Sequence, residues 1–317
     1  MEFRKIQFTG RSSYIISLPK KWIIQNGLDR GDTVPITMNQ DGSITIFPKT
    51  PKRTGGREVI RISREFSEDM AVRLAISTYI RGYDTIEIDF DDDMPLYKVK
   101  VRKTLQSLPG VEIILDEPQR IIAKSLLDEE DVDIKEVLDR IKSIVVSMIG
   151  DIELLLKASQ EEVRGILKDI NDLENELDRF YFMIIRIVNM LLSMNTHHER
   201  SGIIQKTFDL VGILFIVRNI ERIGDHLIRI AREYEKALNG GISSSDLGFL
   251  KEKFMEMMEQ VKAQNLSRID ELMTELKVKI EKEKHDKTGE PYIKESYKRT
   301  LEYLENIGET IINMAVK

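Results

Sequence analysis

The sequence predicts a multidomain α+β chain in three parts: a β-rich head, a small α/β module and a six-helix bundle built as two three-helix repeats. Three observations predict it. Short β-type runs separated by turn residues fill the first fifty positions. Strand-like and helix-like runs alternate over 57–128. Beyond residue 131 the apolar residues recur every three or four positions, and ERIGDHLIRIA at 221–231 is echoed by ENIGETIINMA at 305–315.

Composition narrows the classes. The 317 residues are 41% hydrophobic and 32% charged, which fits a globular protein rich in exposed helix. There are no cysteines, so disulfides and thiolate metal sites are excluded and a reducing cytoplasm is expected. No run approaches the length of a membrane span; the nearest, 180–194, is broken by Arg186 and Asn189, so no membrane insertion is expected. Charge is unevenly spread. Residues 1–57 carry ten Lys or Arg against four Asp or Glu, whereas the remaining 260 carry 38 against 50. A basic head on an acidic body points to an anionic partner for the head.

Within the head, 3–9 and 13–18 read as strands around Gly10–Ser12. Pro19 opens a short helix that stops at Gly27. Strands follow at Thr33–Met38, with Pro35 marking an edge, and at Ser43–Phe47, joined at Asp41–Gly42. So short a ββαββ string has too little core to stand alone, and a dimer is expected to supply the rest. The Gly10 turn, the Leu18-Pro19-Lys20 step, the Gly27-Leu28 helix end and the Gly31-Asp32 turn resemble the AbrB/SpoVT family of swapped-hairpin DNA-binding dimers. That resemblance implies a domain over 1–50 whose basic residues face DNA; by position these are Arg4, Lys5, Arg11, Lys20 and Lys21. Trp22 is expected in the core rather than stacked on a base.

Residues 49–57 read as a linker, and 57–128 as the module: strand, helix at Glu68–Arg81, strand, helix at Pro95–Ser107 and a hairpin about Glu117–Pro118. It has no glycine-rich phosphate loop, its acid run at Asp89 and Asp91–Asp93 reads as a solvated loop, and its residues assign it no function.

Six helices are expected over 131–317, at about 132–158, 161–194 and 203–239, then 246–266, 268–286 and 292–316. The repeats fall at about 131–240 and 243–317. Two apolar rows are interrupted by acids. One runs Leu167, Ile170, Glu174, Asp178, Tyr181, Ile185; the other Leu210, Leu214, Val217, Glu221, Asp225, Ile228. Acids four apart project side by side, and burying them together is costly without a compensating cation. Arg222 and Arg229 are expected to point elsewhere on the helix. Four carboxylates from two neighbouring helices offer all-oxygen ligation suited to Mg, Mn or Fe. No histidine follows a Glu by three residues, which argues against a di-iron oxidase. His226 adjoins Asp225 but is rotated about a quarter turn from the acid row.

LENELDRFYFMIIRIV (173–188) and VRNIERIGDHLIRIARE (217–233) resemble the signature helices of the PhoU family, tandem three-helix bundles that negatively regulate phosphate uptake and bind metal clusters through acidic motifs. The resemblance places the metal ligands at Glu174, Asp178, Glu221 and Asp225 and implies one or more divalent or trivalent ions (Fe, Mn, Mg or Zn). In the second repeat Glu305 and Glu309 keep the pattern, while Lys277 and Glu281 are expected in the other two acid positions, where a lysine would repel a cation. An AbrB-like head on a PhoU-like body resembles a class of archaeal phosphate-uptake regulators. It implies a non-enzymatic, cytoplasmic homodimer that binds DNA and contacts the phosphate ABC transporter's ATPase subunit or a sensor kinase. The alternatives are a transcription factor serving another ligand, an adaptor whose head touches no DNA, and a carboxylate-metal enzyme.

Overall fold

The computed structural model describes residues 2–10, 13–38, 42–49, 56–91, 94–128, 132–193, 203–204, 206–236, 241–286 and 288–316. Residues 1–53 cluster as one compact unit, and the module and bundle together make up the other.

The head holds two antiparallel pairs and one helix. β1 (Gln7–Thr9) pairs with β2 (Ser13–Ile15). α1 (Lys20–Gln25) follows Pro19, and β3 (Ile36–Met38) pairs with β4 (Ile44–Ile46). Each strand is shorter than its sequence run. β3 starts only after Pro35, which has no N–H to give a ladder. Both strands of the first hairpin are exposed along their whole length. Leu28 is the one apolar side chain of the described head that is buried, and Trp22 is half-buried.

The module is a four-stranded sheet in the order β5-β6-β8-β7. β5 (Arg57–Ile62) and β6 (Thr85–Phe90) are parallel, joined through α2 (Glu68–Ile80). α3 (Pro95–Ser107) leads to β7 (Val111–Glu117) and β8 (Arg120–Ser125), an antiparallel hairpin that returns beside β6. Ile62, Ile86, Ile88 and Ile121 pack with Ala71, Ala75, Tyr79, Val101 and Leu105 as its core. Ser67 caps α2, accepting from the Met70 N–H at 3.1 Å. Glu87 is buried in the sheet but paired to Arg57 and Arg120, and Asp89 of the acid run is bound by Arg120 at 2.7 Å.

The bundle comprises α4 (Ile134–Leu155), α5 (Gln160–Ser193), α6 (Thr207–Lys236), α7 (Ser244–Ala263), α8 (Leu266–His285) and α9 (Pro291–Ala315). These match the helices expected from periodicity to within a few residues at each end. The two repeats share one continuous core, because α6 lies along α9 and α4 packs on α7. A reciprocal capping box of Ser243 and Asp246 starts the second repeat. Among the described residues no helix is long and apolar enough to cross a membrane.

The module docks on α5. Arg186, which breaks the apolar run in sequence, is completely buried. Its Nη1 donates to the Tyr79 and Tyr83 carbonyls at 2.7 and 2.9 Å, and its guanidinium lies 5.0 Å from the Tyr79 ring. Asn189 donates to the Ile80 carbonyl at 2.8 Å. Two side chains of α5 therefore serve carbonyls at the end of α2, and the arginine's charge suits that negative helix end. Gly82, at φ +89°, lies under Met190.

Candidate functional site

α5 and α6 pack side by side in the first repeat, and the two acid rows meet there. The contact is close because Gly224 has no side chain: a Cβ on it would lie 2.4 Å from Leu177 Cδ2. Gly224 separates Glu221 from Asp225, and Leu177 separates Glu174 from Asp178. Gly224→Val is accordingly expected to push α5 off α6 and destabilise the bundle by about 2 kcal/mol, although valine is the better helix former. A urea midpoint equal to wild type would contradict this packing.

The four carboxylates feel one another. Burial first, then Glu174, Glu221 and Asp225, pushes the Asp178 carboxyl up to about 7. Burial and Asp225 raise Glu174. Burial and Asp225 also raise Glu221, against the pull of Arg218 and Arg222. The structure thus brings all four sequence-derived acids into one electrostatic group. It does not set them as a finished metal site: among the described residues no group of three or more His, Asp or Glu side chains stands ready to hold a metal ion.

Two arginines account for part of this. Arg218 Nη1 lies 3.1 Å from Glu221 Oε2 and donates to the Tyr181 hydroxyl at 3.1 Å. Arg222 Nη1 lies 3.0 Å from Asp225 Oδ2, and its Nε is 3.6 Å from Glu221. The expectation that Arg222 points away is corrected: its Cα direction does, but the long side chain bends back along the helix. Sequence reasoning misses Arg218, whose three-residue spacing to Glu221 is the available signal. His226 turns away from the acids toward α9, its ring 5.7 Å from Tyr303. Burial lowers its pKa to about 4, so it is neutral at physiological pH.

The second repeat also needs a correction. A Cβ on Gly308 would lie 3.0 Å from Met257 Cε of α7 and 3.1 Å from Met273 Cγ of α8, so on α8 Met273 faces Gly308 as Leu177 on α5 faces Gly224. In that register the counterparts of Glu174 and Asp178 are Asp270 and Thr274, not Lys277 and Glu281. Lys277 falls where Tyr181 stands in the first repeat, and its Nζ reaches Glu305 at 3.8 Å. The second repeat is therefore poorer in acid and carries its own ammonium.

In the head, Arg4, Lys5, Lys20 and Lys21 are exposed. Arg4 is held by Glu2, and Lys20 and Lys21 open α1. Arg11 lies outside the described residues.

The described residues thus comprise a hairpin head, an α/β module and a helical bundle carrying a part-buried acid group. Residues 7–54 match the family model of the MazE antitoxin, described as antidote-toxin recognition MazE, bacterial antitoxin. Residues 138–234 match the PhoU domain, which covers most of α4, all of α5 and nearly all of α6. No curated protein matches the chain. The chain thus carries a MazE/AbrB-like domain at its N-terminus and a PhoU domain behind it, both of non-catalytic regulatory families. The PhoU match stops before the second repeat, where the acid pattern departs.

Proposed function

We propose that this protein regulates phosphate uptake and phosphate-responsive transcription, binding DNA as a homodimer through its head and a hard cation through its bundle. The observation that carries this is the joining of a MazE/AbrB-like head to a PhoU domain in one chain. The head provides an output and the acid group an input. Its place of action is the cytoplasm, and its protein partner is the ATPase subunit of the phosphate transporter or a sensor kinase.

The head's surface supports dimerisation. Phe3, Ile6, Tyr14, Met38 and Ile44 are exposed, Met38 to 80%, while Leu28 is the sole buried apolar residue of the described head. A single copy leaves such strands without a core; a second copy interleaved with it covers them. Such a dimer would offer the exposed Arg4, Lys5, Lys20 and Lys21, with Arg11 named by its place in the sequence alone, to a phosphate backbone. Binding to duplex DNA by the full chain is expected to weaken steeply between about 50 and 200 mM salt, and Lys20→Ala with Lys21→Ala to flatten that slope. Salt-independent binding, or none, would remove the DNA reading.

The donor set fits a hard cation in chemistry. Four mutually repelling carboxylates, one of them held near neutrality, are what a divalent ion relieves. Glu174, Asp178, Glu221 and Asp225 would hold it. A bound ion would supply positive charge that burial otherwise denies them.

A further inference from the structure

The α/β module carries both of its helices on one face of its sheet. Ile62, Ile86, Ile88 and Ile121 point to that face and pack with residues of α2 and α3. Alternation along each strand sends the neighbouring side chains to the other face. Contacts agree: Arg57 and Arg120 both reach Glu87 there, and Arg120 reaches Asp89. This second face is open, with Val59 45% exposed and Ile114, at the irregularity of β7, 61% exposed.

The strand register gives the open face a pattern. Across the order β5-β6-β8-β7 it puts Arg57 in line with Glu112, Val59 with Leu115 and Arg61 with Glu117, at opposite edges of the sheet. Between the edges, Lys124 and Arg120 match Glu87 and Asp89 in charge. The face is therefore neutral as a whole and offers no field to a nucleic acid or an anionic membrane. Its charge is split by edge, basic on β5 and acidic on β7.

We propose that this face binds the same face of a second copy of the chain, the two sheets stacked about a twofold axis parallel to the strands. That axis lays β5 of one copy over β7 of the other and keeps each row opposite itself. Arg57 then meets the partner's Glu112, Arg61 meets the partner's Glu117 and Val59 meets the partner's Leu115. Near the axis, Asp89 meets the partner's Arg120. An axis across the strands would lay β5 over β5 and set Arg57 against the partner's Arg61, which like charge opposes. Glu87 is only 2% exposed and is already paired within its own copy, so stacking buries no unpaired carboxylate there. The face is about 20 Å on a side, small beside a permanent dimer interface, so the contact is reversible and is read by trapping. It requires neither the pairing of the heads nor their binding of DNA.

The chain has no cysteine, so introduced thiols report alone. Full-length Val59→Cys with Leu115→Cys is treated with a short bis-maleimide that spans the gap of about 10 Å between stacked sheets. Covalent dimer is read on a denaturing gel. The double variant is expected to give several-fold more dimer than either single variant, because like positions lie about 14 Å apart sideways, three strand spacings. Adding Arg61→Glu to the double variant is expected to cut that yield about tenfold, and adding Glu117→Arg as well to restore it. A double-variant yield no greater than that of the single variants together overturns the stacking, whatever the heads do. Dimer from Val59→Cys alone at the double-variant level overturns the axis. A yield that ignores Arg61→Glu, or that Glu117→Arg fails to restore in protein shown by circular dichroism to be folded, overturns the charge pairing on which the stacking rests.

Discussion

Arg186→Ala is expected to cost about 3–5 kcal/mol and to free the α/β module from the bundle. The guanidinium is fully buried, and its Nη1 donates to two backbone carbonyls at 2.7 and 2.9 Å. Alanine removes a buried charge together with its 3.4 Å ion pair to Asp84 Oδ1. It also leaves a cavity the size of a guanidinium and takes the arginine's donor from the Tyr83 carbonyl. The Tyr79 carbonyl keeps the Gly82 N–H at 3.0 Å and loses its second donor. A buried carbonyl left unpaired costs about 1–3 kcal/mol, and the cavity adds to that. Asn189 still bonds the Ile80 carbonyl, so the module should loosen rather than unfold. The measurements are urea unfolding and limited proteolysis. An early transition and new cleavage between β8 and α4 are expected. A single transition within about 0.5 kcal/mol of wild type would show that apolar packing by Phe182 and Met190 holds the module without the arginine.

The second large effect concerns Asp178. Its folded-state pKa is raised to about 7 from 3.8, so the folded state holds this proton more tightly than the unfolded chain does. That contribution to stability is complete below about pH 4 and is lost as pH rises through 7. Glu174 and Glu221 are raised too and act in the same direction. Cation-free protein should therefore be more stable at pH 5 than at pH 8. A tenfold tighter hold on a proton corresponds to about 1.4 kcal/mol. With partial exposure allowed for, Asp178→Asn should stabilise the cation-free bundle at pH 8 by roughly 2–4 kcal/mol and flatten its pH profile. Added Mn²⁺ should raise the wild-type melting temperature at pH 8 more than that of the variant. A cation-free stability that rises from pH 5 to 8 would contradict the burial of these acids.

How far the sequence can be read follows the length of each pattern. The bundle helices are legible because a 3.6-residue periodicity sustained over about twenty residues arises almost only from a helix. The acid rows are legible on the same ground: Glu221 and Asp225 are conspicuous only against the stripe they interrupt. The head's strands are overdrawn in sequence, since runs such as Thr33–Met38 show β-type residues but not where pairing begins. Arg222 is misplaced because a helical wheel tracks Cα directions and ignores a side chain long enough to bend back. The second-repeat register is misjudged because the charged run LKVKIEKEKH offers charges at tempting spacing. Packing instead follows Gly308 against Met273, and a small residue facing a large one leaves little trace in composition. Arg186 shows in sequence only as an interruption, because its partners are distant backbone carbonyls, a group that every residue possesses.

A genome-wide occupancy map of the native protein, taken in phosphate-rich and phosphate-poor cells, tests the central claim most directly. The account predicts peaks upstream of phosphate-transport genes, with occupancy that changes with phosphate supply and is lost when Lys20 and Lys21 are replaced by alanine. Peaks confined to genes unrelated to phosphate would make the protein a transcription factor for another signal. No peaks at all would contradict the claim that its head reads DNA, and would leave it an adaptor at the transporter.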